Sequence, residues 1–269
     1  MDRKSGWATA LSRPAASALA VNLAVIRAIL LRDISVVAGS YGAGFLILLL
    51  MPLGHLLIVV AIYTALGKKA PVGADQFVYF GVSILPYVVY TYSARQIVMA
   101  LKMNGPLLHF SRVKPFDILF ARAILEFVNS IIVVIVIVTI LSMVSDGFSP
   151  RDWAGFSFAI AGAFYFAFSF GVLNALIAQV VPIWNMLFFL TATLMWISSG
   201  IIFFPAAIPE PYSKWLSFLP LLQCIEWIRY SYYEDYPDKI LNIPYLLTFS
   251  TACLAISLIS EKLGRRALR

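Results

Sequence analysis

Trp153-AGFSFAIAGAFYFAFSFGVLNALIAQVVPIWNMLFFLTATLMWISSGIIFFPAAI-Pro209 runs for 57 residues without one Asp, Glu, Lys or Arg. A helix crosses the hydrocarbon core with about 20 apolar residues, because it rises about 1.5 Å per residue through a layer about 30 Å thick. The run is too long for one crossing. It breaks at Pro182-Ile-Trp-Asn185, which divides it into two helices, 153–181 and 186–204. No soluble domain hides so much apolar surface in one stretch, so the centre of this chain reads as a helical hairpin in a membrane.

The flanks agree. Hydrophobic residues make up 61% of the chain and charged ones 12%, about half the charge of a soluble domain, and the mean hydropathy is +0.89. Further uncharged runs cover 34–67, 77–94, 127–145 and 240–260. The expected fold is therefore all-α and integral to the membrane, with six spans near 43–66, 77–99, 121–144, 153–181, 186–204 and 244–260. Residues 1–42 form a cytoplasmic tail and an interface helix; residues 43–269 form a single six-helix membrane domain. No cleavable leader is expected, since Arg27 and Arg32 interrupt the early apolar stretch.

The net charge of +7 would suit a polyanion, but its distribution reports topology. With a cytoplasmic N-terminus, 14 of the 20 Lys and Arg residues fall on the cytoplasmic side; the other side holds Lys68, Lys69, Arg151, Lys214, Arg229 and Lys239 against eight acids. That is the positive-inside pattern, and it puts both termini in the cytoplasm. No nucleic-acid partner is implied.

Along the chain, residues 1–14 read as a polar, mobile tail. From 15 to 38, Leu19, Leu23, Ile26, Leu30, Ile34 and Val37 recur at helical steps, while Arg27, Arg32 and Asp33 preclude a span. A helix lying in the cytoplasmic interface fits, and so does an ordinary helix packed on the bundle. Gly39, Gly42 and Gly44 let the chain turn into the first span. In 153–181, Gly155, Ala159, Ala163, Ala167, Gly171 and Ala175 stand at four-residue spacing, a stripe on which another helix packs closely. The segment 205–243 is external by topology, yet it carries eight aromatic residues between Tyr212 and Tyr236, punctuated by Pro205, Pro209, Pro211, Pro220 and Pro237. Two short helices hinged near Pro220, dipping back from the outer interface, satisfy both facts; an aromatic interfacial belt is the alternative. Within it, Glu226 and Arg229 stand three apart and share a helix face, so they are expected to pair, with a charge swap partly restoring a broken pair.

The sequence lacks the motifs of chemistry. It has no Walker A loop, no GxGxxG, no HExxH and no CxxC. Cys224 and Cys253 have no metal or redox spacing and read as small buried hydrophobes; no metal site is expected. The spans hold no mid-membrane acid–base pair of the kind that relays protons. The chain is not expected to be an enzyme or to bind a cofactor, so uphill transport would draw its energy from a partner.

Three stretches carry a resemblance. Arg32-Asp33, Gly39, Gly44-Phe45-Leu46 and Pro52 come first, with Ile47 where a Trp is usual and Met51 where a Glu is. Asn104-Gly-Pro-Leu107-Leu108, Val113-Lys114-Pro115-Phe-Asp117, Ala121-Arg122 and Glu126 follow. The last comprises Ser199-Gly200-Ile201-Ile202-Phe203-Phe204, Ile208-Pro209, Trp215-Leu216, Leu219-Pro220-Leu221 and Ile225-Glu226-Trp227-Ile228-Arg229. In this order they resemble the polysaccharide-export branch of the ABC type-2 transporter permeases, the capsular polysaccharide exporters in particular. The resemblance implies a homodimer of six-span subunits in the bacterial inner membrane, with a polysaccharide channel between them. It implies two copies of a separate cytoplasmic ATPase, which holds the ATP and Mg, together with periplasmic export proteins. The ATPase would meet the interface helix (Arg27, Arg32, Asp33) and the loop carrying Asn104, Leu107, Leu108, Val113, Lys114, Pro115 and Asp117. The outer hairpin would gate the exit through Ser199, Gly200, Pro205, Pro209, Trp215, Pro220, Glu226, Trp227 and Arg229. Tyr87, Tyr90, Arg95, Arg122, Trp184, Trp196 and Phe203 are candidates to line the channel; Arg95 and Arg122 either favour an anionic polymer or anchor the cytoplasmic ends. O-antigen, teichoic-acid and lipid or drug exporters remain alternatives. So do an ion-coupled transporter and a membrane enzyme acting on a lipid-linked sugar, the latter using Glu210, Glu226, Glu234, Asp235 and Asp238.

Overall fold

The computed structural model describes residues 18–38, 43–67, 69–73, 75–110, 112–145 and 147–267. The expected tail, 1–14, and the turn at 39–42 lie outside the described residues. Among those described, every regular element is helical: α1 (Ala18–Ala38), α2 (Ala43–Ala65), α3 (Gln76–Met103), α4 (Pro115–Val144), α5 (Trp153–Val180), α6 (Trp184–Ser198), α7 (Tyr212–Leu216), α8 (Pro220–Tyr232) and α9 (Ile243–Ala267), with short 3-10 turns at Gly105–His109 and Pro205–Ala207.

At the centre stands α3, packed by α5, α4, α8 and α2. Its first half is buried on every side from Val78 to Tyr90, and in the second half, up to Leu101, only Thr91, Tyr92, Arg95, Gln96 and Met99 are not buried. A helix with so little polar surface is largely enclosed. Its ends are set locally: the Asp75 carboxylate accepts the Phe77 and Val78 N–H groups at the start, and Asn104 closes the end with its backbone N–H on the Ala100 carbonyl. The small stripe of α5 is largely buried, its Gly155 end against Ser231 of α8 and its Gly171 end against α3. Ala159, Ala163 and Ala167 have no exposure, and a Cβ on Gly171 would sit 3.2 Å from the Ile97 side chain and 3.3 Å from the Ala94 Cα. The two backbones meet there, as the spacing predicted.

Four helices are long and apolar enough to cross a membrane: α3, α4, α5 and the stretch Ile243–Leu263 of α9. Of the other two expected spans, α2 runs over 23 residues close to its expected bounds, and Trp184–Ser198 is a shorter apolar helix. With 15 residues, α6 extends about 22 Å and stops six residues before the expected boundary at 204. Gly200 ends it with φ 81°, a conformation that favours glycine. The chain then runs without regular structure to Pro205. Another difference lies in α1. The face turned to the protein is Val25, Ile26 and Ile29 with Asp33, whereas Leu23 and Ile34 of the expected stripe are exposed.

The aromatic segment after α6 folds as the two short helices α7 and α8, with Pro220 opening α8. They differ in environment. Tyr212, Trp215 and Phe218 around α7 are exposed, whereas α8 lies against α5, α3 and α9 with almost all its residues buried. Cys224 and Cys253 are free and buried.

Candidate functional site: an aromatic cleft between two buried charge clusters

Three helices enclose the main cleft, about 360 Å³ in volume. On α3, Tyr87, Thr91 and Arg95 stand at four-residue steps, which puts them on one face, with Tyr90 and Tyr92 beside them. α2 contributes Met51 and His55, and α6 contributes Phe188, Phe189, Ala192, Thr193 and Trp196. The rings hold one another. His55 stands edge-on to Tyr87 and Tyr92, at 5.8 and 6.2 Å between centroids, and its Nδ1 lies 3.2 Å from the Tyr92 hydroxyl. Tyr90 stacks on Phe166 at 4.8 Å behind the cleft. The Arg95 guanidinium lies over Phe189 at 4.9 Å. One buried polar atom of the lining, Trp196 Nε1, has no hydrogen-bond partner among the described residues. Buried polar groups normally find one, so this donor is open to a ligand or water. Apolar ring faces with an unfilled donor and one cation suit a glycan, whose C–H faces stack and whose hydroxyls bond.

Four of the candidate channel residues meet here: Tyr87, Tyr90, Arg95 and Trp196. The other three stand elsewhere. Trp184 donates its Nε1–H to Asn174 Oδ1 at 2.9 Å and ties α6 to the end of α5. Phe203 is half-buried in the chain after α6. Arg122 belongs to a separate charge cluster. His55, Tyr92, Phe188 and Phe189 were not singled out from the sequence; only the paired four-residue rhythm of α3 and α6 could have indicated them.

The first charge cluster joins α1, the end of α3 and α4. Arg32 pairs with Asp33 at 2.6 Å and donates to Asn104 Oδ1. Arg122 pairs with Glu126 at 2.7 Å and reaches Asp33 at 4.0 Å. Asp33, Asn104, Arg122 and Glu126 are all buried. The expected ATPase-facing residues Arg32, Asp33 and Asn104 thus bond to one another, while Arg27 is exposed on α1. In the following loop, Leu107, Leu108 and Val113 pack partly buried against the second core cluster. Asp117 is buried and accepts the Lys114 N–H at 2.9 Å, a cap for α4, which Pro115 begins. Phe110 in this loop and Met103 at the end of α3 are exposed.

The second cluster ties α8 to α3. Arg229 has no exposure and Glu226 has 1%. Arg229 donates from Nε to Ser83 Oγ at 2.7 Å and from Nη1 to Glu226 Oε1 at 3.3 Å. Its Cζ stands 4.5 Å from the Tyr79 ring centre, and Tyr236 donates its hydroxyl to Glu226 Oε1 at 2.8 Å. Burial pushes the Glu226 carboxyl up, against the pull of the Arg229 charge. The other expected gate residues differ in environment. Trp227 closes over Gly162 of α5; Ser199, Pro205 and Pro220 are buried; Pro209 and Trp215 are exposed. Tyr63 of α2 donates to the Ile202 carbonyl, which fastens the chain beyond Gly200.

These features define an all-helical membrane protein with a ligand-sized aromatic cleft. No family model matches the chain. It is 23% identical over 244 residues to the polysialic acid transport protein KpsM of Escherichia coli, covering 91% of this chain and 95% of that one. It is 24% identical over 246 residues to the capsule polysaccharide export inner-membrane protein BexB of Haemophilus influenzae, covering 91% and 92%. To the capsule polysaccharide export inner-membrane protein CtrC of Neisseria meningitidis it is 26% identical over 220 residues, covering 80% and 81%. The resemblance to capsular polysaccharide export permeases therefore holds along most of the chain.

Proposed function

We propose that this chain is the inner-membrane permease subunit of an ATP-driven exporter that moves a capsular, lipid-linked polysaccharide out of the cytoplasm. The aromatic cleft carries the reading: its rings, unfilled donor and single arginine suit a sugar polymer. The collinear likeness to capsule-export proteins supports it. Energy comes from two copies of a separate ATPase that binds ATP and Mg. Two permease subunits enclose the channel, α2 and α6 complete six spans in each, and both termini are cytoplasmic, in keeping with the 14-to-6 split of basic residues. The end of α3 and the loop after it meet the ATPase through Met103 and Phe110, and the charge cluster around Asp33 carries that motion to α4. On the outer side α7 and α8 form the re-entrant exit gate, from which periplasmic export proteins accept the polymer.

Co-purification tests the coupling. Tagged wild-type chain should retain its ATPase in mild detergent and stimulate hydrolysis. Phe110→Asp should lose both by about a hundredfold, since burying an unpaired carboxylate in a contact costs about 3 kcal/mol. Undiminished ATPase capture and stimulation by Phe110→Asp would refute this contact.

A further inference from the structure

We propose that Arg122 is one half of an open clasp, seated on Glu126 of its own helix and placed to lock α1 onto α4 when Asp33 comes within reach. This rests on the permease reading and names the residue through which α1 would act on α4. Arg122 stands between two carboxylates from different helices. Its Nη2 meets Glu126 Oε1 at 2.7 Å, whereas its Nη1 is 4.0 Å from Asp33 Oδ2. The first contact is close but poorly aligned, since Glu126 Oε1 makes no hydrogen bond among the described residues. The second lies about 1 Å beyond hydrogen-bond distance. Arg122 Nε is buried and also without a hydrogen-bond partner among the described residues. Buried donors are normally filled, and a guanidinium carries several in a planar fork. Arg122 therefore has donors to spare and a second anion just out of reach.

The two anions are held differently. Glu126 lies one turn along α4 and moves with Arg122. Asp33 belongs to α1, which is lightly anchored: of its described side chains only Ile29 and Asp33 are buried, one turn apart on the same face. A helix with so few buried contacts opens at low cost, so α1 is able to shift against α4, the helix it mainly packs on. On its outer side Asp33 is held by Arg32, whose side chain is 42% exposed and also donates to Asn104 at the end of α3. Whatever moves the end of α3 or draws on Arg32 therefore moves Asp33 relative to Arg122. Closing the gap strands no charge, because one guanidinium spans both carboxylates and the charges of Arg32, Asp33, Arg122 and Glu126 sum to zero. The clasp has two arrangements, open as in this structure and closed with Asp33 on Nη1, and the position of α1 selects between them.

Hydrogen–deuterium exchange of the full-length chain in lipid nanodiscs tests the clasp, read on the α1 amides with α9 as reference. Asp33→Glu keeps the charge and adds one methylene, which brings the carboxylate to Arg122. It should slow α1 exchange about tenfold, the effect of one charge-assisted hydrogen bond. Asp33→Asn should speed it by a similar factor. Arg122→Lys, a point charge that cannot span two carboxylates, should abolish the slowing by Asp33→Glu. A contact that merely fills space predicts the opposite sign for Asp33→Glu, because the longer side chain overfills a buried site. Faster or unchanged α1 exchange in Asp33→Glu, or slowing that persists in the Arg122→Lys background, would overturn the proposal. In cells, Asp33→Glu present at the wild-type membrane level should export poorly, with α1 held closed. Normal export by that variant, where deletion of the gene abolishes export, would remove the clasp from transport and leave the permease reading intact. Export that survives the deletion would remove the permease reading itself, and the exchange result would still decide the clasp.

Discussion

Arg229 shows what a single buried charge commits the molecule to. Its guanidinium is shared between Glu226, Ser83 and the Tyr79 ring, so the chain needs an arginine there and not merely a cation. Arg229→Ala leaves the Glu226 carboxylate buried and unpaired, a loss of about 3 to 5 kcal/mol. The variant should fail to yield a monodisperse peak in detergent size-exclusion. Arg229→Lys should be impaired too, having no Nε to reach Ser83. The reciprocal swap, Glu226→Arg with Arg229→Glu, should not rescue it, because a carboxylate facing Ser83 and Tyr79 finds neither the old geometry nor a ring partner. The spacing of Glu226 and Arg229 announced their pairing; Ser83 and Tyr79, about 150 residues earlier in the chain, did not announce themselves, and they change the expected outcome of the swap. A stable, exporting Arg229→Lys protein would mean that charge alone suffices.

At the scale of elements, the stripe on α5 was legible because four-residue spacing of Gly and Ala is a property of sequence alone. Its partner was not, since any helix could have filled the groove; the structure supplies α3 through the Gly171 approach to Ile97 and Ala94. Ala167→Leu, overfilling a site with no exposure, should cost about 1 to 3 kcal/mol and lower the thermal midpoint in detergent. An unchanged midpoint would show that α5 and α3 separate more readily than their packing indicates. The loop after α3 taught the opposite lesson. Its motif drew attention to Leu107 and Leu108, but hydrophobicity says nothing of direction, and both side chains turn toward the core while Phe110 stays out. Leu107→Asp with Leu108→Asp should therefore reduce the amount of folded protein, whereas Phe110→Asp should fold normally and lose ATPase coupling. Comparing membrane levels of the two by immunoblot separates them; equal, full levels would contradict the buried role of the leucines. Likewise α1 carried an apolar stripe in its sequence but packs through Ile29 and Asp33, because the buried Arg122–Glu126 pair offers its neighbour a polar foothold that no hydrophobic pattern encodes.

The whole molecule places an aromatic, ligand-sized cleft between a charge cluster near the loop after α3 and another at α8. On the proposed reading the chain moves a polymer made elsewhere. Deleting the gene and measuring the polysaccharide inside and outside the cell tests that claim most directly. Polymer should vanish from the surface, accumulate in the cytoplasm at full length, and return to the surface when the wild-type chain is supplied in trans. Unaltered surface polymer, or a cell that no longer makes the polymer at all, would contradict the account.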